Sequence, residues 1–353
     1  MATEQFVIDG ICHPYNFSPE NLNGRFGRIF NDVLYAFHPL LTPPEVALSK
    51  EEWEHDWQND EFMETMLLES DTDMVCVHST PIYDAYHDGL ISVEKGADLK
   101  RRYPDRAIWY ASADIFKGEQ ALESLEYQVR ELGADGIKLY PAQYYRGRTR
   151  FWRMDDRVLV FPVFELAMEL GITNIAVHKA LPLGPVATEA YRVDDVGYAA
   201  SEFPDINFQI VHAGYMFADE AKFLLLNYPN IYATLEATFL FCQFDPDTFT
   251  KVLGDFLIYG GPDKLIYSST ATVIHPHYLL EAFRNFDLPE DHPAGQLTDE
   301  IRQKILADNF ARLLGIDVEE RKRKLEEDEF AQKRNGNGLR EPWSTLRGQE
   351  VTA

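Results

Sequence analysis

The chain has 353 residues, 45% of them hydrophobic and 13% aromatic, and a formal net charge of −25. That is enough apolar material for one large core, and α/β barrels routinely use about 250 residues or more as a single domain. The acidity excludes a nucleic-acid or anionic-membrane partner, because phosphate contacts require clustered Lys and Arg.

Three cysteines, Cys12, Cys76 and Cys242, form no CxxC pair, and an odd count argues against a disulfide framework. The start MATEQFVIDG lacks the basic and apolar stretches of a signal peptide. No run approaches the roughly 18 apolar residues of a membrane helix. The expectation is a protein of the reducing cytoplasm.

In chain order, short apolar runs alternate with longer amphipathic ones. Strands are expected at FVID (6–9), MVCVHS (74–79), AIWYASAD (107–114), GIKLY (136–140), IAVH (175–178), NFQIVHAG (207–214), IYATLEAT (231–238) and KLIYSS (264–269). Helical patterns such as EQALESLEYQVRELG, VLVFPVFELAMELG and DPDTFTKVLGDFL separate them. Strands alternating with helices imply βαβ units and a parallel sheet, and eight of them suit a closed (β/α)8 TIM-like barrel. No GxGxxG or P-loop follows the first strand, so a nucleotide-binding sheet lacks its signature. Gly133 and Gly171 stand just past two helices, where a left-handed cap is favoured. Residues 1–316 thus read as the barrel. Residues 14–60 form a long aromatic insertion after the first strand, placed to lie over the active-site face. Residues 317–353 form a charged C-terminal tail, expected to dock on a partner or on its own barrel.

Side chains at the C-terminal ends of barrel strands converge on one mouth. His13 follows the first strand, His78 ends the second, His178 the fifth and His212 the sixth; His275 and His277 follow the eighth. Imidazoles meeting there, with carboxylates, make a metal site. A lone histidine at a strand end is more often structural, but two successive strands ending hydrophobic-His favour a shared role for His178 and His212. Asp9 and Glu236 are the acidic candidates, because a carboxylate within an apolar strand needs a compensating charge. For Glu236 that is a metal or an ion pair. Lys138 is either a charge partner for a bound carboxylate or a carbamylated ligand bridging two metals. Lys179 and Tyr215, next to the histidine pair, are candidates for orienting ligands. Tyr140, Gln143, Tyr144 and Arg148 cluster after the fourth strand, where Arg148 could clamp a substrate carboxylate.

These segments resemble the amidohydrolase superfamily over most of residues 6–316. VIDGICH is similar to the family's first strand, GIKLYP to its fourth, IAVH to its fifth, IVHAG to its sixth and DNFARLLGI (308–316) to its closing helix. The resemblance implies a barrel with one or two divalent metals. Two positions depart from the pattern. Ile11 stands where the family's H-x-H motif has its first histidine, leaving His13, and Thr270 stands where the strand-eight aspartate activates water. Hydrolysis would then lack its usual base.

Asp9, His13, His178, His212, Glu236, His275 and His277 remain as a His- and carboxylate-rich set. It is similar to that of a small group of nonhaem dinuclear oxygenases in the superfamily, in particular their smaller hydroxylase subunit. That likeness implies an iron or manganese pair hydroxylating a small branched carboxylic or amino acid with O2. It also implies a related barrel subunit and an electron-transfer protein as partners. The alternatives are a hydrolase or nonoxidative decarboxylase with a single metal such as zinc, and a non-catalytic barrel supporting a paralogue.

Overall fold

A computed structural model describes residues 5–348. Eight parallel strands follow one another around the sheet in chain order: β1 (Ile8–Cys12), β2 (Met74–His78), β3 (Ala107–Ala111), β4 (Gly136–Leu139), β5 (Asn174–His178), β6 (Asn207–Val211), β7 (Ile231–Thr234) and β8 (Leu265–Ile266). The circle is joined where Gly10 N donates to Tyr267 O at 3.0 Å and His13 N to Ala271 O at 2.6 Å. Gly10 permits this approach, since a Cβ there would lie 2.8 Å from Ile266 and 2.9 Å from the Tyr267 oxygen. The expected TIM-like barrel is present.

Alternation along each strand sorts the side chains. Ile137, Leu139, Ile175, Val177, Phe208 and Ile210 face outward into one apolar layer with helix residues such as Leu125, Phe164 and Ala199. Ile11, Cys76, Tyr110, Ala176, Val211 and Ile266 fill the inside. The same parity turns Lys138, His78 and His178 inward. Ile11 therefore packs as an interior apolar residue at the position that the resemblance assigns to a histidine. Gly133 and Gly171 cap their helices at φ 77° and 76°, as their sequence setting predicts.

Helix α1 (Gly24–Leu41) of the insertion lies over the C-terminal ends of the strands, with Trp53 and Trp57 buried behind it. The tail forms α2 (Val318–Leu325) and α3 (Glu329–Asn337) and then runs back to the barrel, burying Trp343 completely. The described part of the tail is thus docked on its own chain. Among the described residues no helix is long and apolar enough to cross a membrane.

Candidate metal centre and active site

A cleft at the strand ends is lined by His13, Tyr140, His178, His212, Glu236 and Thr270 from the barrel, with Tyr15, Phe30, Leu34 and Phe37 from the insertion above. The fold aims these groups in different ways. His178 points inward by strand parity. His212 follows the inward Val211 and would face outward, but a left-handed φ of 61° returns its ring to the mouth. Strand β1 changes register between Asp9 and Cys12, so the inward parity passes from Ile8 to Ile11, and alternation then turns His13 inward as well.

The hydrogen bonds fix the tautomers of the central pair. His178 Nε2 lies 2.8 Å from Leu181 O and His212 Nδ1 lies 3.2 Å from Glu236 O. A carbonyl only accepts, so both of these nitrogens carry the proton. The remaining nitrogens, His178 Nδ1 and His212 Nε2, face each other at 3.3 Å with a lone pair on each. Two lone pairs cannot bond to one another; a cation between them satisfies both. The Glu236 carboxylate completes the arrangement, 3.5 Å from His212 Nε2 and 3.6 Å from His13 Nε2. Separations of this size are about those between neighbouring donors on an ion with metal–ligand bonds of about 2.0–2.1 Å.

Among the described residues no group of three or more His, Cys, Asp or Glu side chains is placed so that it could hold a metal ion without moving. The opposed lone pairs and the carboxylate beside them nevertheless fit a divalent ion, with backbone carbonyls holding the outer ring nitrogens as metal-binding histidines require.

Electrostatics agree with this geometry. Burial lowers the His178 and His13 pKa values, and that of His212 to about 4, so all three are neutral and able to ligate near neutral pH. Burial raises the Glu236 pKa, but His212, His13 and Lys138 outweigh it and hold the carboxyl below its usual value. Lys138 is buried with no hydrogen-bond partner for Nζ, and burial lowers its pKa to about 8. His78 stacks on Tyr110 at 4.5 Å, and neither of its ring nitrogens has a partner.

Other expected site residues lie elsewhere. His275 is wholly buried, but its Nε2 meets Glu69 at 2.9 Å and its Nδ1 accepts from His277 N at 3.3 Å, so neither nitrogen is free for a metal. His277 lies on the following helix, 3.5 Å from Glu281. Asp9 accepts from Ser269 N at 3.0 Å and Ile11 N at 3.3 Å and is not in the cleft wall. Lys179 turns away into a buried ion pair with Asp195 at 2.7 Å. Gln143, Tyr144 and Arg148 lie on a surface hairpin outside the cleft, Gln143 bonded to Asp114 at 2.7 Å and Tyr144 packed on Phe26. Tyr140 and Tyr215 do line the cleft, Tyr140 stacked on the His178 ring at 5.0 Å. Sequence reasoning gave no role to Tyr15, Phe30, Leu34 and Phe37; the aromatic PYNF after β1 was the available signal.

Residues 81–316 match the profile of a family described as Amidohydrolase. The chain belongs to the amidohydrolase family. No curated protein matches the chain by sequence. Among solved structures, an uncharacterized TIM-barrel protein from Bordetella bronchiseptica aligns with a TM-score of 0.64 at 18% identity, covering 88% of this chain and 98% of that one. A 5-carboxyvanillate decarboxylase from Novosphingobium aromaticivorans with bound manganese gives 0.57 at 12% identity, over 89% and 98% of the two chains. A probable 2-pyrone-4,6-dicarboxylic acid hydrolase from Acinetobacter baumannii gives 0.55 at 12%, over 88% and 99%. At such identities the likeness establishes the fold.

Proposed function

We propose that this amidohydrolase is a metal-dependent, nonoxidative decarboxylase of a small aromatic or otherwise unsaturated carboxylic acid. The observation that carries the reading is the pair of opposed imidazole lone pairs, with Glu236 beside them, at the floor of an aromatic-walled cleft. His178 Nδ1 and His212 Nε2 would hold a divalent ion, with Glu236 and His13 as further donors, and the ion would polarise a substrate oxygen.

The chain's own groups do the rest. Tyr15, Phe30, Phe37 and Tyr140 would cover a flat apolar substrate and exclude water. A carboxylate carried into such surroundings loses solvation that neutral CO2 does not need, which favours release. The buried Lys138 ammonium makes the potential beneath an anionic ligand more positive and so favours its binding. Hydrolysis, by contrast, needs a base for water. Glu236 is the one carboxylate among the described residues of the cleft wall, and it is committed to the histidines.

The decarboxylase and hydrolase among the solved neighbours support these two classes. The iron- or manganese-pair oxygenase implied by the sequence resemblance gains no such support, and His275 and His277, which it used as donors, are engaged elsewhere. The test is anaerobic. Full-length protein loaded with Mn2+ or Zn2+ is offered hydroxybenzoates and a lactone in D2O. CO2 release with deuterium at the vacated carbon is expected. Product formation that requires O2 and a reductant, or lactone opening without any CO2 release, would sink the reading.

A further inference from the structure

Left-handed backbone outside glycine is uncommon, and a β-branched residue there is an outlier that persists only where its surroundings enforce it. In this barrel such residues close four successive strands: Ala180 after β5, His212 after β6, Ala237 after β7 and Thr270 after β8, at φ 60°, 61°, 60° and 70°. Thr270 is the β-branched one. Its position is over-determined from both sides. Asp9 holds the preceding Ser269 N at 3.0 Å, and Thr270 Oγ1 itself accepts from Ala237 N at 3.1 Å.

That second bond settles the hydroxyl's role. With a lone pair engaged by Ala237 N, its proton is left to donate, and among the described residues it makes no hydrogen bond as a donor. Thr270 is only partly buried and shares the cleft wall with His212 and Glu236. A hydroxyl in this place is a poor base but a competent donor.

We propose that Thr270 is a substrate-binding residue whose hydroxyl donates a hydrogen bond to an oxygen of the bound acid. The inference rests on the decarboxylase reading above and names how that site recognises its ligand. The acid is gripped by an oxygen at Thr270, next to the Ala237 backbone, rather than by the arginines of the surface hairpin. The strained backbone aims the hydroxyl, and Ala237 N fixes its rotation.

The experiment compares wild type, Thr270→Val and Thr270→Ser as full-length, Mn2+-loaded proteins. Valine keeps the shape without the hydroxyl; serine keeps the hydroxyl. Calorimetric titration with 2-hydroxybenzoate as probe reads ligand affinity, and metal affinity and thermal midpoint are measured on the same samples. The valine variant should bind the probe roughly ten-fold more weakly, the size of effect expected for one hydrogen bond to a charged oxygen, while serine stays within about three-fold. Metal affinity should be unchanged in both, and serine should keep the midpoint; valine should lower the midpoint, because Ala237 N loses its acceptor. If substrate turnover is measurable, KM should rise more than kcat falls.

Equal probe binding by valine and wild type would overturn the inference while leaving the decarboxylase reading intact. A parallel loss of metal affinity in the valine variant, or an equal loss of probe binding in the serine variant, would also overturn it. A wild type that binds Mn2+ but no carboxylate would overturn both.

Discussion

At the scale of single residues, protonation decides what the mouth of the barrel can do. His178 and His212 each keep one ring nitrogen with a free lone pair, because a backbone carbonyl takes the other nitrogen and burial keeps the rings neutral. Asp9 shows the opposite response. Burial dominates over its bonds to Ser269 and Ile11 and raises its pKa from 3.8 to about 7. Between those two values the folded chain holds a proton that the unfolded chain has released. Asp9 therefore contributes stability that is full below about pH 4 and is lost as pH rises through about 7. His212, lowered from 6.5 to about 4, has the opposite slope: its contribution is lost as pH falls through that window. Asp9→Asn keeps an acceptor for both amides but cannot ionise. Metal-free Asp9→Asn should gain on wild type as pH rises from 4 to 8, by an amount on the order of a few kcal/mol. Urea unfolding at pH 5 and pH 8 measures it, and parallel profiles for the two proteins would refute the assignment. The sequence made the histidine pair legible because a hydrophobic strand ending in His is a local pattern. It did not show that Asp9 belongs to the β1–β8 seam, because that depends on a register change inside β1 and an amide far along the chain.

At the scale of elements, the tail and the insertion hold each other in place. Glu69 is completely buried, and its carboxylate gathers His275 Nε2, Trp343 N at 2.7 Å, Thr345 N at 2.7 Å and Ser344 Oγ at 3.1 Å. Trp343 packs edge-on to His275 at 4.6 Å and against Trp57 at 5.7 Å. Farther back, Arg106 clasps Asp328 through two hydrogen bonds of 2.6 and 2.9 Å, and Arg334 meets Asp71 at 2.6 Å. Composition alone describes residues 317–353 as a solvated helix and a loose end, because their anchors are few and their partners lie hundreds of positions away. The same distance hid the true partner of His275; a histidine beyond β8 looks like a ligand until Glu69 is brought to it. Removing the largest anchor tests the arrangement. Trp343→Ala should cost about 3–5 kcal/mol, as large-to-small changes at fully buried aromatics do. It should also raise amide exchange around Val273 and His38, which are joined at 2.7 Å beside the cleft. A loss below about 1 kcal/mol by urea unfolding, within the range of ordinary surface substitutions, would mean that the tail rests on the barrel without bracing it.

At the scale of the whole molecule, barrel, charge and metal are linked. The alternation of apolar strands and amphipathic helices revealed the barrel from sequence, since each element must bury one face and the period says which. That the insertion after β1 roofs the mouth was readable from its place in the chain; which of its residues line the cleft was not, because no local period specifies the path of α1. A net charge of −25 gives the folded molecule a potential that attracts divalent cations. A cation that binds only the native fold must stabilise it, by about 2.7 kcal/mol when its free concentration is a hundred times its dissociation constant. Added Mn2+ should therefore raise the unfolding midpoint of the chelator-treated protein, and the rise should saturate. His178→Ala and His212→Ala should abolish the rise while leaving a folded barrel. His275→Ala should behave differently: it deprives Glu69 of one partner and lowers the starting midpoint, yet it keeps the full response to Mn2+. These variants separate the histidines proposed to hold metal from the one that pairs with Glu69. If His275→Ala lost the response, or His178→Ala kept it, the ion would have to be assigned to other residues.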